Sequence, residues 1–253
     1  MSIKSAQKAD ATIARSLWLN GSLDEAPTKG VSDRCSLANS TDGDLLDRLV
    51  VHNYTNANSG SVKVFCGTYT KASTMKAAGI RSVRNLWAKK CDGWVAFSSI
   101  NDTSVPFISL PMQGSEEYGN MWQKVRSIWV YIGRYYLHDY DWFFLSGDDT
   151  FLIVENLRSY LASEELKLHL ESRKGGYIGR RMFLDSNQVF NSGGAGYLLD
   201  KRGLVALMTS IESRENSCSP DMQTAQEDVK VSECLAAKGI IPIDTRDEQF
   251  RER

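Results

Sequence analysis

Two pairs of adjacent acids, Asp148-Asp149 and Glu227-Asp228, are the residues of this chain best suited to chemistry. The first pair ends an apolar run, Trp142-Phe-Phe-Leu-Ser-Gly-Asp-Asp. Paired Asp oxygens are hard ligands, suited to Mg²⁺ or Mn²⁺ carrying a phosphate. The same position allows a quieter role, because Asp149 or Thr150 is of the type that caps a helix, here one over 151–161. In the second pair, Asp228 shares a helical face with Val231 and Leu235 near the start of a segment over 225–237. A carboxylate there can accept a proton from an attacking hydroxyl, or simply sit favourably at the positive end of a helix. Between the pairs lies Asn191-Ser-Gly-Gly-Ala-Gly-Tyr197. Its three glycines make either a flexible turn or a place where backbone approaches a ligand that no side chain would admit.

These residues need elements to hold them. Four large apolar residues in a row, 142–145, suit a strand covered on both faces. The acids then project from its carboxyl end, the edge at which open α/β sheets bind ligands. Upstream, 62–69 alternates like a strand, and the basic segment 76–90 places Ile80, Val83 and Trp87 at helical spacing. Short apolar strands follow at 94–97 and 107–110. Over 116–138, Met121, Trp122, Val125, Ile128, Trp129, Ile132 and Tyr136 recur on one helical face, which assigns both tryptophans to the core. Downstream the pattern predicts a helix over 155–161, a charged loop, a strand at 176–179, the glycine-rich loop, and helices over 202–211 and 225–237. Strands alternating with helices imply an α/β fold with a mostly parallel central sheet flanked by helices, Rossmann-like in arrangement.

With 253 residues and 42% hydrophobic content the chain can bury a substantial core. A formal net charge of −1 and a pI near 6.3 argue against a nucleic-acid partner. No apolar run approaches the ~18 residues needed to cross a bilayer, and no signal-peptide core follows Met1. Two features nevertheless point to the secretory pathway. Four Asn-x-Ser/Thr sequons stand at Asn20, Asn39, Asn53 and Asn101, and the cysteines Cys35, Cys66, Cys91, Cys218 and Cys234 form no Cys-x-x-Cys pair of the kind that binds zinc. Residues 1–60 are rich in Ser, Asn, Asp, Gly and Ala and read as a stem-like, poorly ordered lead-in. Residues 61–253 read as one domain that carries both acid pairs.

From about residue 62 to 253 the chain resembles the core 1 β1,3-galactosyltransferases, in the Fringe-related family of inverting glycosyltransferases. The resemblance rests on Cys66 with Trp87 and Cys91, Asp141-Trp142-Phe143, Asp148-Asp149-Thr150, Glu155-Asn156-Leu157-Arg158, the 192–197 loop, Glu227-Asp228 with Cys234, and Asp244-Thr-Arg-Asp247. It implies a GT-A-type fold, UDP-galactose as donor, Mn²⁺ as cofactor, and transfer to the 3-hydroxyl of GalNAc on Ser or Thr of a glycoprotein or glycopeptide acceptor. It also implies a membrane anchor and the lumenal side of the Golgi membrane. Residue by residue, it makes Asp149 the direct metal ligand with Asp148 beside it, Asp228 the general base, Gly193 and Gly194 part of the loop beside donor sugar and acceptor, and Arg84 a cation near the diphosphate. It pairs Cys66 with Cys91 and Cys218 with Cys234, each worth roughly 3 kcal/mol. Cys35 is left as a free thiol or as a link between two copies of the chain, a homodimer.

The chain departs from the family in two places. Gly147 stands where relatives carry the first of three acids, and the sequence ends before the Phe-His-Pro in which relatives supply a metal-ligating His; His52, His138 and His169 offer no substitute. The resemblance therefore implies a chain lacking both ends, and leaves two other readings open. One is a catalytically impaired or chaperone-like relative; the other is Fringe-like transfer of a different UDP-sugar.

Overall fold

The computed structural model describes residues 62–71, 74–99, 107–184 and 188–247. The lead-in over 1–60, the four sequons, Cys35 and His52 lie outside the described residues.

Alternation along three strands explains the layering. In β1 (Val64–Tyr69), β2 (Gly93–Ser98) and β4 (Trp142–Gly147), odd and even residues point to opposite faces, and both faces are apolar. Val64, Cys66, Trp94, Ala96, Trp142 and Phe144 pack on one face against α1 (Thr74–Leu86), α3 (Val154–Leu161) and α4 (Glu164–Glu171). Phe65, Val95, Phe97, Phe143 and Leu145 pack on the other against α2 (Met121–Tyr136), α5 (Lys201–Glu212) and α6 (Glu227–Ala236). The sheet is therefore covered on both sides, as the apolar run before Asp148 predicts. Trp122 and Trp129 are fully buried on α2.

Strand order is β3-β2-β1-β4-β8-β5, with β3 spanning Phe107–Ser109, β5 Tyr177–Gly179 and β8 Tyr197–Asp200. Strands β3, β2, β1 and β4 are parallel, while β8 runs antiparallel to both β4 and β5. This mixed sheet, flanked by helices, is the α/β, GT-A-type architecture expected. The antiparallel insertion has a direct consequence for the site. Tyr197, the first residue of β8, lies opposite Leu145 near the end of β4, so the glycine loop that precedes Tyr197 emerges at the same edge as the acids that follow Gly147.

The structure differs from the sequence expectation in three segments. The charged loop after residue 161 is instead α4, started by Ser163, whose side chain accepts the N–H of Leu166. A hairpin of β6 (Arg181–Phe183) and β7 (Val189–Asn191) precedes the glycine loop, and β8 follows it. Two disulfides, Cys66–Cys91 and Cys218–Cys234, brace the two faces as the resemblance implied. Among the described residues, no helix is long and apolar enough to cross a membrane.

Candidate active site

Parallel register brings the ends of β1 and β4 together, with Tyr69 beside Gly147. One residue further on, the Thr70 hydroxyl donates to Asp148 Oδ2 at 2.6 Å, which fixes this half-buried carboxylate against the strand edge. Asp149 is exposed. A Cβ on Gly147 would stand 2.8 Å from Asp149 Oδ1. The missing side chain at 147 is thus the space into which the Asp149 carboxylate folds. Neither acid serves as a helix cap: α3 begins at Val154 with Ile153 at its N-cap and no side-chain cap bond.

The loop after Asp149 is held from two sides. Thr150 Oγ1 donates to the Gly194 carbonyl at 3.1 Å, and the Thr150 carbonyl accepts from Trp87 Nε1 at 3.0 Å. Trp87 follows the last residue of α1, so the turn carrying Arg84 abuts the loop behind the acids. Arg84 is half-buried, and burial pulls its guanidinium below the ordinary arginine range.

The glycine loop then connects these acids to the second pair. Residues 193–195 form a single 3₁₀ turn ending at Gly196, whose φ of 76° favours glycine. The Gly193 N–H donates to Asp228 Oδ2 at 2.8 Å, and Oδ1 accepts the N–H of Val229 at 2.9 Å. Asp228 remains half-buried at the first turn of α6, while its neighbour Glu227 is only 4% exposed. Glu227 Oε2 accepts the Tyr197 hydroxyl at 2.8 Å, and the Tyr69 hydroxyl stands 3.5 Å from Oε1. Burial, and then the charge of Asp228, push the Glu227 carboxyl up to about 8 against these hydrogen bonds. Tyr69 is raised as well, by burial first and then by the charges of Glu227, Asp228 and Asp149.

The structure therefore brings together Asp148, Asp149, Gly193, Gly194 and Asp228, and sets the Arg84 turn beside them. Two further features escape the sequence reading. Glu227, not Asp228, is the inward-facing acid of α6. Lys124, on the buried face of α2, donates to the Thr70 carbonyl at 2.5 Å and to the Glu116 carboxylate. A Lys inside an apolar helical stripe, four residues before Ile128, is the signal that marks it. Lys124 and Glu116 also line a cavity of about 230 Å³ at the ends of β2 and β3, into which Ser98 opens.

Among the described residues, no three His, Cys, Asp or Glu side chains converge as a ready metal cage. The donor set nevertheless fits a hard divalent cation of the kind held by one or two carboxylates and completed by water and substrate phosphates. His138 is exposed just beyond α2, and His169 lies on α4; no described contact joins either to the acids.

The helix-flanked mixed sheet is compatible with the GT-A class of fold. No family model matches the chain. Over 195 residues it is 32% identical to glycoprotein-N-acetylgalactosamine 3-beta-galactosyltransferase 1 of Xenopus laevis, covering 77% of this chain and 50% of that protein. It is 24% identical over 194 residues to human chondroitin sulfate synthase 3, covering 70% of this chain and 20% of that protein; for the mouse counterpart the figures are 24% over 196 residues, 70% and 21%. The chain thus spans about half the length of the Xenopus laevis relative. Its similarity is to proteins named as a galactosyltransferase and as chondroitin sulfate synthases.

Proposed function

We propose that this domain is an inverting hexosyltransferase of the β1,3-galactosyltransferase type, acting on a UDP-sugar. The observation that carries this reading is the continuous link from Asp149 through Thr150 and Gly194 to Gly193 and Asp228. It sets an acid pair suited to a metal-diphosphate within one site of a carboxylate suited to proton abstraction. In the reaction, Asp228 takes the proton of an acceptor hydroxyl as that oxygen bonds to the anomeric carbon. The bond from that carbon to UDP breaks on the opposite face, and UDP leaves. Asp149 and Asp148 would hold a divalent cation such as Mn²⁺, which would supply charge neutralisation for the diphosphate. Arg84 adds positive charge from the α1 turn, and Gly194 leaves open space beside the acids, while Gly193 and Gly196 pack against Glu227 and Phe144.

The name of the Xenopus laevis relative supports the finer reading: galactose from UDP-galactose, transferred to the 3-hydroxyl of GalNAc on a glycoprotein or glycopeptide. Two disulfides support an oxidising compartment, consistent with the Golgi lumen. A second reading, a relative with impaired catalysis, is favoured by Gly147, which leaves two acids where the family carries three. A panel of UDP-sugars assayed for UDP release, with and without Mn²⁺ and with a GalNAc-peptide acceptor, separates the two. Release with UDP-galactose, dependent on metal and acceptor, is expected; no release with any donor sinks the catalytic reading.

A further inference from the structure

Glu227 takes no part in the chemistry proposed above, yet it is the most enclosed acid of the site. It is 4% exposed and lies where four elements meet. Tyr69 approaches from the end of β1, Tyr197 donates from the start of β8, and Asp228 is the next residue of α6. The fourth contact is Gly193: a Cβ there would come within 2.1 Å of Glu227 Oε1. β1 and β8 are the two strands that flank β4, so one carboxyl group spans the strand that delivers Asp148 and Asp149. The same Gly193 that packs on Glu227 donates its N–H to Asp228.

We propose that Glu227 is a positioning residue: by bridging Tyr69 and Tyr197 and seating Gly193, it holds the glycine turn and Asp228 in register with the Asp148–Asp149 edge. The groups facing it are Tyr69 on β1, Tyr197 on β8, Tyr177 on β5, Asp228 on α6 and, across Tyr69, Asp149. None of these is a cation. An ionised carboxylate enclosed by hydroxyls and further acids is costly, so the neutral acid is the form that fits. Two consequences follow. Glutamine, which has the same shape and no charge, can replace Glu227; alanine, which leaves both hydroxyls and Gly193 without their partner, cannot.

The kinetic part of the test rests on the transferase reading, so a structural readout accompanies it. Hydrogen exchange over residues 190–197 reports the order of the loop without any activity. At about pH 6.5, Glu227→Ala is expected to accelerate exchange roughly tenfold, and Glu227→Gln to leave it within about twofold, since local opening follows lost buried contacts. Tyr197→Phe, which removes one hydroxyl and little else, raises exchange in the same direction and stands in should Glu227→Ala not fold. UDP release is then measured across pH. Glu227→Ala lowers kcat by roughly 100-fold, the order of loss caused by a misplaced catalytic group. Glu227→Gln stays within about threefold and keeps its rate at about pH 9, where the parent enzyme falls as Glu227 ionises.

Unchanged exchange in both Glu227→Ala and Tyr197→Phe overturns the positioning role. So does a Glu227→Gln variant that is as slow as the alanine variant while its loop stays ordered, because the carboxyl would then be moving a proton itself. If the parent chain releases no UDP, the transferase reading falls alone, and the exchange data still decide the role of Glu227.

Discussion

Replacing Lys124 with methionine tests how the strand edge beneath Asp148 is held. The ammonium is enclosed, with its side chain 9% exposed and that of Glu116 18% exposed. Burial lowers its pKa from the ordinary lysine range, with Glu116 and Asp148 opposing the shift. Methionine preserves the length and apolar stem but removes the donor shared by the Glu116 carboxylate and the Thr70 carbonyl. Breaking a buried pair by removing one partner costs about 3–5 kcal/mol. Because Glu116 keeps partial access to water, the lower end applies, about 3 kcal/mol. For a domain of this size that corresponds to a fall in Tm of roughly 6–12 °C. Urea denaturation of Lys124→Met should show a lower midpoint at unchanged slope, which marks a change in stability and not in the surface exposed. Adding Glu116→Gln removes the stranded charge and should recover about half of the loss, a coupling expected of groups in contact. A Lys124→Met midpoint within about 0.5 kcal/mol of the parent would refute the reasoning, since surface changes fall in that range.

Three further outcomes follow from the same geometry. Glu227 is raised from 4.5 to about 8, so its contribution to stability is fully present below about pH 4.5 and is lost as pH rises through about 8. Tm measured between about pH 5 and 9 should therefore decline more steeply in the parent than in Glu227→Gln, by an upper bound of about 5 kcal/mol at the rate of 1.36 kcal/mol per pH unit; parallel profiles would remove the neutral acid from the account. Replacing Cys66 and Cys91 by alanine opens a loop with a sequence separation of 25 and should cost roughly 3 kcal/mol, read as a Tm drop smaller than that of the reduced parent, which loses Cys218–Cys234 as well. Gly147→Asp restores the family's third acid but drives a Cβ to within 2.8 Å of Asp149 Oδ1. It should lower Tm in chelator and tighten Mn²⁺ binding by calorimetry; unchanged affinity would show that position 147 does not reach the metal.

The fold was legible where local pattern and burial agree. The 142–145 run marked β4, and the α2 stripe marked a buried helix, because each pattern repeats over enough residues to name its period. Strand β8 was not legible: four residues that pair with β4 and β5 over long range carry no local period, and the glycines before them look like a loop. α4 was hidden by leucines at 166, 168 and 170, a spacing of two that masks the helix started by Ser163; Leu166 is buried while Leu168 is 65% exposed. The disulfides came from resemblance alone, as five cysteines allow several pairings. In the site, the acids announced themselves by type, but which acid of Glu227-Asp228 turns inward depends on where Tyr69 and Tyr197 stand. That is a property of strand order, and the chain does not state it locally.

The central claim is that the carboxylates after β4 and the carboxylate opening α6 serve one reaction. It is tested most directly by UDP formation from UDP-galactose and a GalNAc-peptide in the presence of Mn²⁺, comparing the parent with Asp149→Asn and Asp228→Asn. Both variants are expected to fold and to lose roughly 100-fold or more in kcat, Asp228→Asn with little change in KM for the donor and Asp149→Asn with a weakened response to Mn²⁺. Full turnover by Asp228→Asn would contradict the account.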